Sequence, residues 1–531
     1  MKTKNYISII ALLYFSTVAF SQTLVDAIKL TNNEQFEKAD SVFKILIQSQ
    51  SNNGEYLFYQ GENYFKNEQF EKANGAYQKA IDVNPNNPFG YVGVGKIKWY
   101  SNKQTEAKVN FDKAITLAVG KNATVLLKIA EAYTNSETKN LTEAQTLMAQ
   151  AIKLDSKNVE SYIIAGDVYL EQNNGTEAII NYEKASALDP KSVRAILRQG
   201  QVWNRVKNYN LALDTYKKAS LIDSTFAPAY REKAEIYFRA GKYADAVYQY
   251  KRYLELNNDC GALSRYAGFL NQAKQYKESI DAATRALQCN PTNPYLFRYK
   301  GFSEYDSGDY INGLKTINSF FELAIKNPSL KIISTDYEYR AKLLAKNGQD
   351  SLAVLEYKKA MTLQPDKIEL YSDMANSYLK MKKNTEAIDS YKIKIEKGKP
   401  NINDYFGLGR AYYFSKDFIN ADSAFAQIVN SQPELALGYL WRAKVNSQVD
   451  SKNINWLAKP FYELFIAKVK PEETERYKKD LIDAHTYVGV YYINKKDNCT
   501  AKKEFQKVLE MDANNTNSKN FMKSKEAAAC K

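Results

Sequence analysis

The spacing of small residues constrains this chain more than any other feature. Ala39, Ala73, Ala107, Ala144, Ala178, Ala212, Ala246, Ser279, Gly313, Ala353, Ala387, Ala421, Ala458 and Ala501 each open an apolar-periodic segment, and most steps between them are 34 residues. A second apolar-periodic segment precedes each one and carries its own small residue and aromatic, as Gly61 and Tyr64 precede Ala73, Tyr77, Ala80 and Pro85. The offsets return at Gly166, Tyr169, Ala178, Tyr182, Ala185 and Pro190, and at Gly409, Tyr412, Ala421, Phe425 and Pro433. Apolar residues at helical spacing on both sides of a polar break such as Lys66-Asn67-Glu68-Gln69 predict helix, turn, helix. Small residues let the two helices approach, aromatics fill the space beside them, and proline ends the second helix. A unit of this size cannot bury its apolar face alone, so the 531 residues count stacked repeats, and one elongated array is expected.

A 34-residue helix-turn-helix period with this small and aromatic code resembles the tetratricopeptide repeat family over nearly all of the chain. The resemblance implies an all-α, right-handed superhelical solenoid of about fourteen helix-turn-helix repeats over residues 22–512. It also implies work by protein contact. In that family the first helix of each repeat lines a concave groove, and ligand contacts come from its second, fifth, ninth, twelfth and thirteenth positions. Carried over in register, Arg194, Arg205, Arg231, Arg239 and Arg298 fall on those positions, and Trp99, Tyr305 and Tyr413 are aromatic groove positions. The Lys/Asn pattern of the family's chaperone-tail clamps is not recognised here.

Arginine is absent from residues 1 to 193 and crowds the repeats that follow. Guanidinium groups hold carboxylates bidentately, so this cluster suits an acidic peptide, a C-terminal carboxylate or an anionic glycan. The competing reading is local neutralisation by Glu232 and Glu235. Exposed aromatics would serve a partner helix, an extended peptide or sugar rings, whereas aromatics at helical spacing also build cores.

Residues 1–21 read as a secretory signal peptide: Lys2 and Lys4 precede an apolar run from Ile7 to Phe20, with cleavage expected before Gln22. The reading is export, to the periplasm or to the exterior and cell surface. No cysteine stands at the cleavage point, and no later segment is apolar enough for a transmembrane anchor. Cleavage takes two charges from the formal +14, which still favours an acidic partner or anionic surface over nucleic acid; the alternative, preferred for the lysines, is solvated convex faces. Cys260 with Cys289, and Cys499 with Cys530, lie at the meeting ends of helical hairpins. Two disulfides are expected, with buried free thiols as the alternative. The repeat pattern loosens at residues 320–336, where Pro328 predicts a bend or a lengthened second helix. It loosens again over 443–512, where Pro460 interrupts and Pro471-Glu472-Glu473 predicts an inserted helix; residues 513–531 read as a capping helix.

Chemistry-bearing motifs are sparse. Gly90, Gly95 and Lys96 imitate a phosphate loop, but Ile97 replaces the Ser or Thr that would hold magnesium and no strand precedes them, so Gly95 reads as a packing residue. His485 is the sole histidine and reads as packing. No catalytic pair, metal set or cofactor motif stands out. Asp40-Ser41-Val42, Asp350-Ser351-Leu352 and Asp422-Ser423-Ala424 resemble an O-glycosylation acceptor pattern and are equally ordinary helix starts. The expected function is a non-enzymatic envelope scaffold that binds an envelope protein or protein complex in its concave groove. The alternative is a carrier or sensor that takes an anionic peptide or glycan on the central arginines.

Overall fold

Within a repeat, an aromatic ring sits where its neighbour has no side chain. A computed structural model describes residues 23–257 and 260–530, with Cys260 described in its backbone only. The signal peptide expected over residues 1–21 lies outside the described residues. A Cβ placed on Gly61 would collide with the ring of Tyr77, and one on Gly166 with the ring of Tyr182. Both rings are fully buried. Each hydroxyl then needs a partner and takes the carboxylate that follows the glycine: Tyr77 Oη donates to Glu62 Oε1 at 2.7 Å and Tyr182 Oη to Asp167 Oδ1 at 2.7 Å.

The chain divides after Pro291 into two units. The first contains α1 (Leu24–Asn32), α2 (Phe36–Ser49), α3 (Gly54–Lys66), α4 (Phe70–Val83), α5 (Pro88–Tyr100), α6 (Gln104–Leu117), α7 (Ala123–Asn135), α8 (Leu141–Leu154), α9 (Val159–Glu171), α10 (Gly175–Leu188), α11 (Val193–Arg205), α12 (Tyr209–Ile222), α13 (Ala227–Arg239), α14 (Tyr243–Leu256), α15 (Cys260–Gln272) and α16 (Tyr276–Cys289). The second contains α17 (Pro294–Asp306), α18 (Tyr310–Lys326), α19 (Ser334–Lys346), α20 (Asp350–Leu363), α21 (Leu370–Lys380), α22 (Asn384–Lys397), α23 (Ile402–Phe414), α24 (Phe418–Ser431), α25 (Ala436–Val449), α26 (Lys459–Lys468), α27 (Thr474–Asn494), α28 (Asn498–Met511), α29 (Thr516–Met522) and α30 (Lys525–Ala528). Up to α28 these pair in sequence as helical hairpins. The result is an all-α superhelical repeat fold.

The alanines of the 34-residue period are buried where each hairpin closes. In most hairpins one turn residue takes a left-handed backbone, including Glu34 at φ 58°, Glu68 at 56° and Lys207 at 62°. Among the described residues no helix is long and apolar enough to cross a membrane.

The second unit departs from the period in three places. Helix α18 runs for 17 residues before a loop leads to α19. Pro460 sits in the first turn of α26, where its missing N–H costs nothing. Pro471–Glu473 forms a 3-10 turn that leads straight into the 21-residue α27, so the insertion lengthens a helix and adds no separate one. No proline or glycine interrupts the chain until Gly489, which packs on Phe505. The expected single capping helix is two short ones, because the Ser524 side chain caps the N-terminus of α30 through Ala527 N at 3.2 Å. Cys499 and Cys530 form a disulfide with Cα atoms 5.2 Å apart. Cys289 is disulfide-bonded, while the side chain of Cys260 lies outside the described residues.

Candidate functional site on the inner helices

The first helices of consecutive repeats touch one another, α3 with α5, α5 with α7, α7 with α9, and α9 with α11. Side chains one period apart therefore become neighbours. In the first unit many such neighbours carry opposite charge. Lys96 Nζ lies 2.8 Å from both carboxylate oxygens of Glu62, Arg194 pairs with Glu160, and Arg205 Nη1 lies 3.3 Å from Glu171, each pair 34 positions apart. Closer in sequence, Lys128 meets Glu131 at 2.7 Å, and Arg198 Nε meets Asp167 Oδ1 at 2.9 Å across two repeats' helices. Burial pushes the carboxyls of Glu62 and Glu131 up, but the lysines around them outweigh it and hold both below the usual range. At Asp167 burial wins over Arg198 and leaves the carboxyl raised.

The turn between α1 and α2 then crosses to the far side of the same unit. Glu34 pairs with Arg231 of α13 and accepts from Tyr253 Oη of α14 at 3.0 Å. Asn33 Nδ2 reaches Asp223 Oδ2 at 3.3 Å and Thr225 Oγ1 at 3.2 Å, and Gln35 Nε2 donates to the Thr225 carbonyl at 2.9 Å. Lys29 meets Asp223 at 3.1 Å. The first repeat is thereby clasped to the sixth and seventh, and a turn of the superhelix closes on itself.

The second unit has cross-repeat ion pairs of its own, such as Arg298–Asp336 and Lys468–Glu434, but one stretch of its inner helices is richer in cations than in acids. Lys342, Asn376 and Arg410 occupy one level of α19, α21 and α23, and Lys346, Lys380 and Phe414 the next, every step being 34 residues. These six residues, with Tyr305, Tyr357 and Asp373, line a cavity of about 440 Å³. Lys342 is held by Glu338 at 2.6 Å, and Lys380 reaches Asp350 at 3.5 Å. The Lys346 ammonium lies over the Tyr310 ring, 5.2 Å from its centroid, and Arg410 lies 5.7 Å from the centroids of both Phe406 and Phe414. Among the described residues neither has a carboxylate within ion-pair distance. Asp373 is the one acid in the wall, and burial pushes its carboxyl up against the pull of Lys342 and Lys346. The cavity has more cations than acids in its wall, is rimmed by aromatics, and leaves Lys346 and Arg410 without an ion-pair partner among the described residues.

Family models described as tetratricopeptide repeat match residues 54–87, and residues 129–193, 165–224 and 231–294. The C-terminal part of a TPR repeat-containing protein from Cytophaga hutchinsonii is 30% identical, over 49% of this chain and 100% of that one, with a TM-score of 0.45. The chain belongs to the tetratricopeptide repeat family. A tetratricopeptide repeat protein from Parabacteroides merdae is 18% identical over 48% of this chain and 98% of its own, with a TM-score of 0.34. Heat shock protein STI1 of Saccharomyces cerevisiae is 25% identical over 173 residues, which is 32% of this chain and only 28% of the yeast protein.

In this tetratricopeptide repeat protein the five groove arginines are divided between the two units. Arg194, Arg205, Arg231 and Arg239 stand on α11 and α13, whereas Arg298 belongs to the second unit, buried against Asp336 with Nε to Oδ1 at 2.7 Å. Arg239 donates to Asn204 Oδ1 at 3.0 Å. Glu232 does meet Arg231, at 3.3 Å, and Glu235 meets Arg265 at 2.7 Å, but most of the neutralisation comes from carboxylates one repeat earlier or from the clasp. Trp99 is buried and pins the widened α7–α8 loop, donating to Ser136 Oγ at 2.9 Å and the Thr138 carbonyl at 2.8 Å. Tyr305 lines the second-unit cavity, and Tyr413 packs beside Trp441, Phe418 and Phe414. His485 is buried with Nδ1 2.7 Å from Glu504, and Gly95 packs on Phe111. Lys342, Lys346, Lys380 and Arg410 were not singled out by sequence. Their signal is register: Lys346 and Lys380 stand one 34-residue step apart, and Lys342 and Arg410 two steps apart.

Proposed function

We propose that this chain is an exported, non-enzymatic scaffold of the bacterial envelope that holds a partner protein by an acidic segment laid along the inner face of its second unit. The carrying observation is the pair Lys346 and Arg410, two cations on adjacent levels of the cavity with no carboxylate within ion-pair distance among the described residues. An acidic side chain or terminal carboxylate supplies what they lack, and Tyr305 and Phe414 offer aromatic surface beside it. The helices are formed before binding, so little ordering opposes it. Family membership supports protein contact as the mode of action. Export is supported by the basic and apolar opening of the sequence and by the Cys499–Cys530 disulfide, which suits an oxidising compartment.

The second reading, an anionic carrier working through the central arginines, has weaker support because Arg194, Arg205 and Arg231 already hold carboxylates. Photo-crosslinking in intact cells from a reactive side chain at position 380 tests the first. Capture of one envelope protein, lost in Lys346→Glu with Arg410→Glu, is expected. Capture unchanged in that double variant removes the second-unit groove from the account.

A further inference from the structure

In the walls of two adjoining first-unit cavities, one half-buried lysine has no carboxylate partner among the described residues. The two cavities, of about 350 and 290 Å³, share Thr31, Asn32, Lys66, Glu131 and Arg194 in their walls. The other lysines and arginines of those walls have carboxylates: Lys96 has Glu62, Lys128 has Glu131, Arg194 has Glu160, Arg198 has Asp167 and Arg231 has Glu34. Lys66 has none within ion-pair distance among the described residues. Its Nζ donates to the neutral Asn32 Oδ1 at 2.8 Å, one repeat back on α1.

The charges facing Lys66 do not replace a counter-ion. Burial pushes the ammonium down to about 8, Arg194 and Lys128 add to the fall, and Glu131 and Glu62 oppose it without reversing it. A desolvated ammonium of this kind is stabilised by any anion that can reach it. The wall beside it is apolar on one side, where Phe43, Leu127 and Ile164 line the smaller cavity.

We propose that this cavity is a binding site for a small organic carboxylate, its anionic end on Lys66 and its apolar end against Phe43, Leu127 and Ile164. The site is separate from the second-unit groove, so either can fail without the other. It predicts selectivity for an anion with a short hydrocarbon part over a neutral molecule of the same shape, and over a bare inorganic anion.

Calorimetric titration of the mature chain with hexanoate, hexanol and inorganic phosphate at pH 7 tests this. Hexanoate is expected to bind at least tenfold more tightly than hexanol or phosphate, and to weaken more than tenfold by pH 9.5, where Lys66 is neutral. Lys66→Gln should abolish the preference. Asn32→Asp is the decisive companion, because it installs a carboxylate at the Lys66 ammonium: the variant should melt higher and lose hexanoate. Equal affinity for hexanoate and hexanol, phosphate binding as tightly as hexanoate, or hexanoate binding unchanged in Asn32→Asp would each overturn the proposal.

Discussion

Glu34 and Arg231 stand 197 residues apart in sequence and form an ion pair. Glu34 occupies the left-handed position of the α1–α2 turn, so the turn's backbone aims the carboxylate across the unit, where Arg231 and Tyr253 receive it. Replacing Glu34 with Gln leaves Arg231 without its main counter-charge. We expect a loss of roughly 2 kcal/mol in the unfolding free energy of the first unit, the scale of a hydrogen bond to a charged group. Hydrogen exchange should accelerate in α1 and α2 and stay unchanged in α19 to α23. Exchange in α1 and α2 equal to wild type would mean that the clasp holds nothing.

The glycines give two predictions of opposite sign. Gly166→Ala drives a methyl group into the buried Tyr182 ring, and overpacking of this sort costs about 1–3 kcal/mol. Gly75 lies mid-helix in α4 with nothing within 4 Å of an added Cβ, so Gly75→Ala should stabilise by about 1 kcal/mol through helix propensity. Urea denaturation of the two variants reads both signs.

These contrasts show what the sequence could carry. The small residues and their aromatic partners are local, within one hairpin, so Gly166 and Tyr182 announce their contact by spacing alone. Glu160 with Arg194, and Glu171 with Arg205, were also legible in principle: one repeat period separates them, and stacked helices make that period a contact distance. Local neutralisation by Glu232 and Glu235 is the alternative that the sequence offers, whereas the partners of Arg194 and Arg205 lie one period earlier. The clasp was not legible, because Glu34 meets Arg231 only if the accumulated rotation of six hairpins returns the chain to its start. Trp99 falls in a groove register but is buried, since the widened turn at Ser136 folds back over it.

Loss of the Cys499–Cys530 disulfide should loosen the C-terminal end. The bond closes a loop with a sequence separation of 31, for which chain entropy alone gives roughly 3–4 kcal/mol. Cys499→Ser is expected to make the α29–α30 segment protease-sensitive first, seen as early trimming by mass spectrometry, while the remainder of the chain resists.

Lys66 sets a pH signature. Its folded-state value of about 8 lies below the ordinary lysine value, so the unfolded chain binds more protons than the folded one between the two. The destabilisation is fully present below pH 8 and is relieved as pH rises toward the unfolded value. Relative to Lys66→Met, wild type should therefore gain stability between pH 8 and pH 10, measured by thermal melting at each pH. A constant difference across that window would place Lys66 in ordinary solvent.

The most direct test of the central claim is fluorescence anisotropy of a labelled acidic peptide with a free C-terminus, titrated with wild type and two double variants. The second-unit pair is Lys346→Glu with Arg410→Glu; the first-unit pair is Arg205→Gln with Arg239→Gln. The account predicts at least a tenfold weaker Kd for the second-unit pair and a Kd within twofold of wild type for the first-unit pair. Weakening by the first-unit pair, with the second-unit pair unchanged, would contradict it.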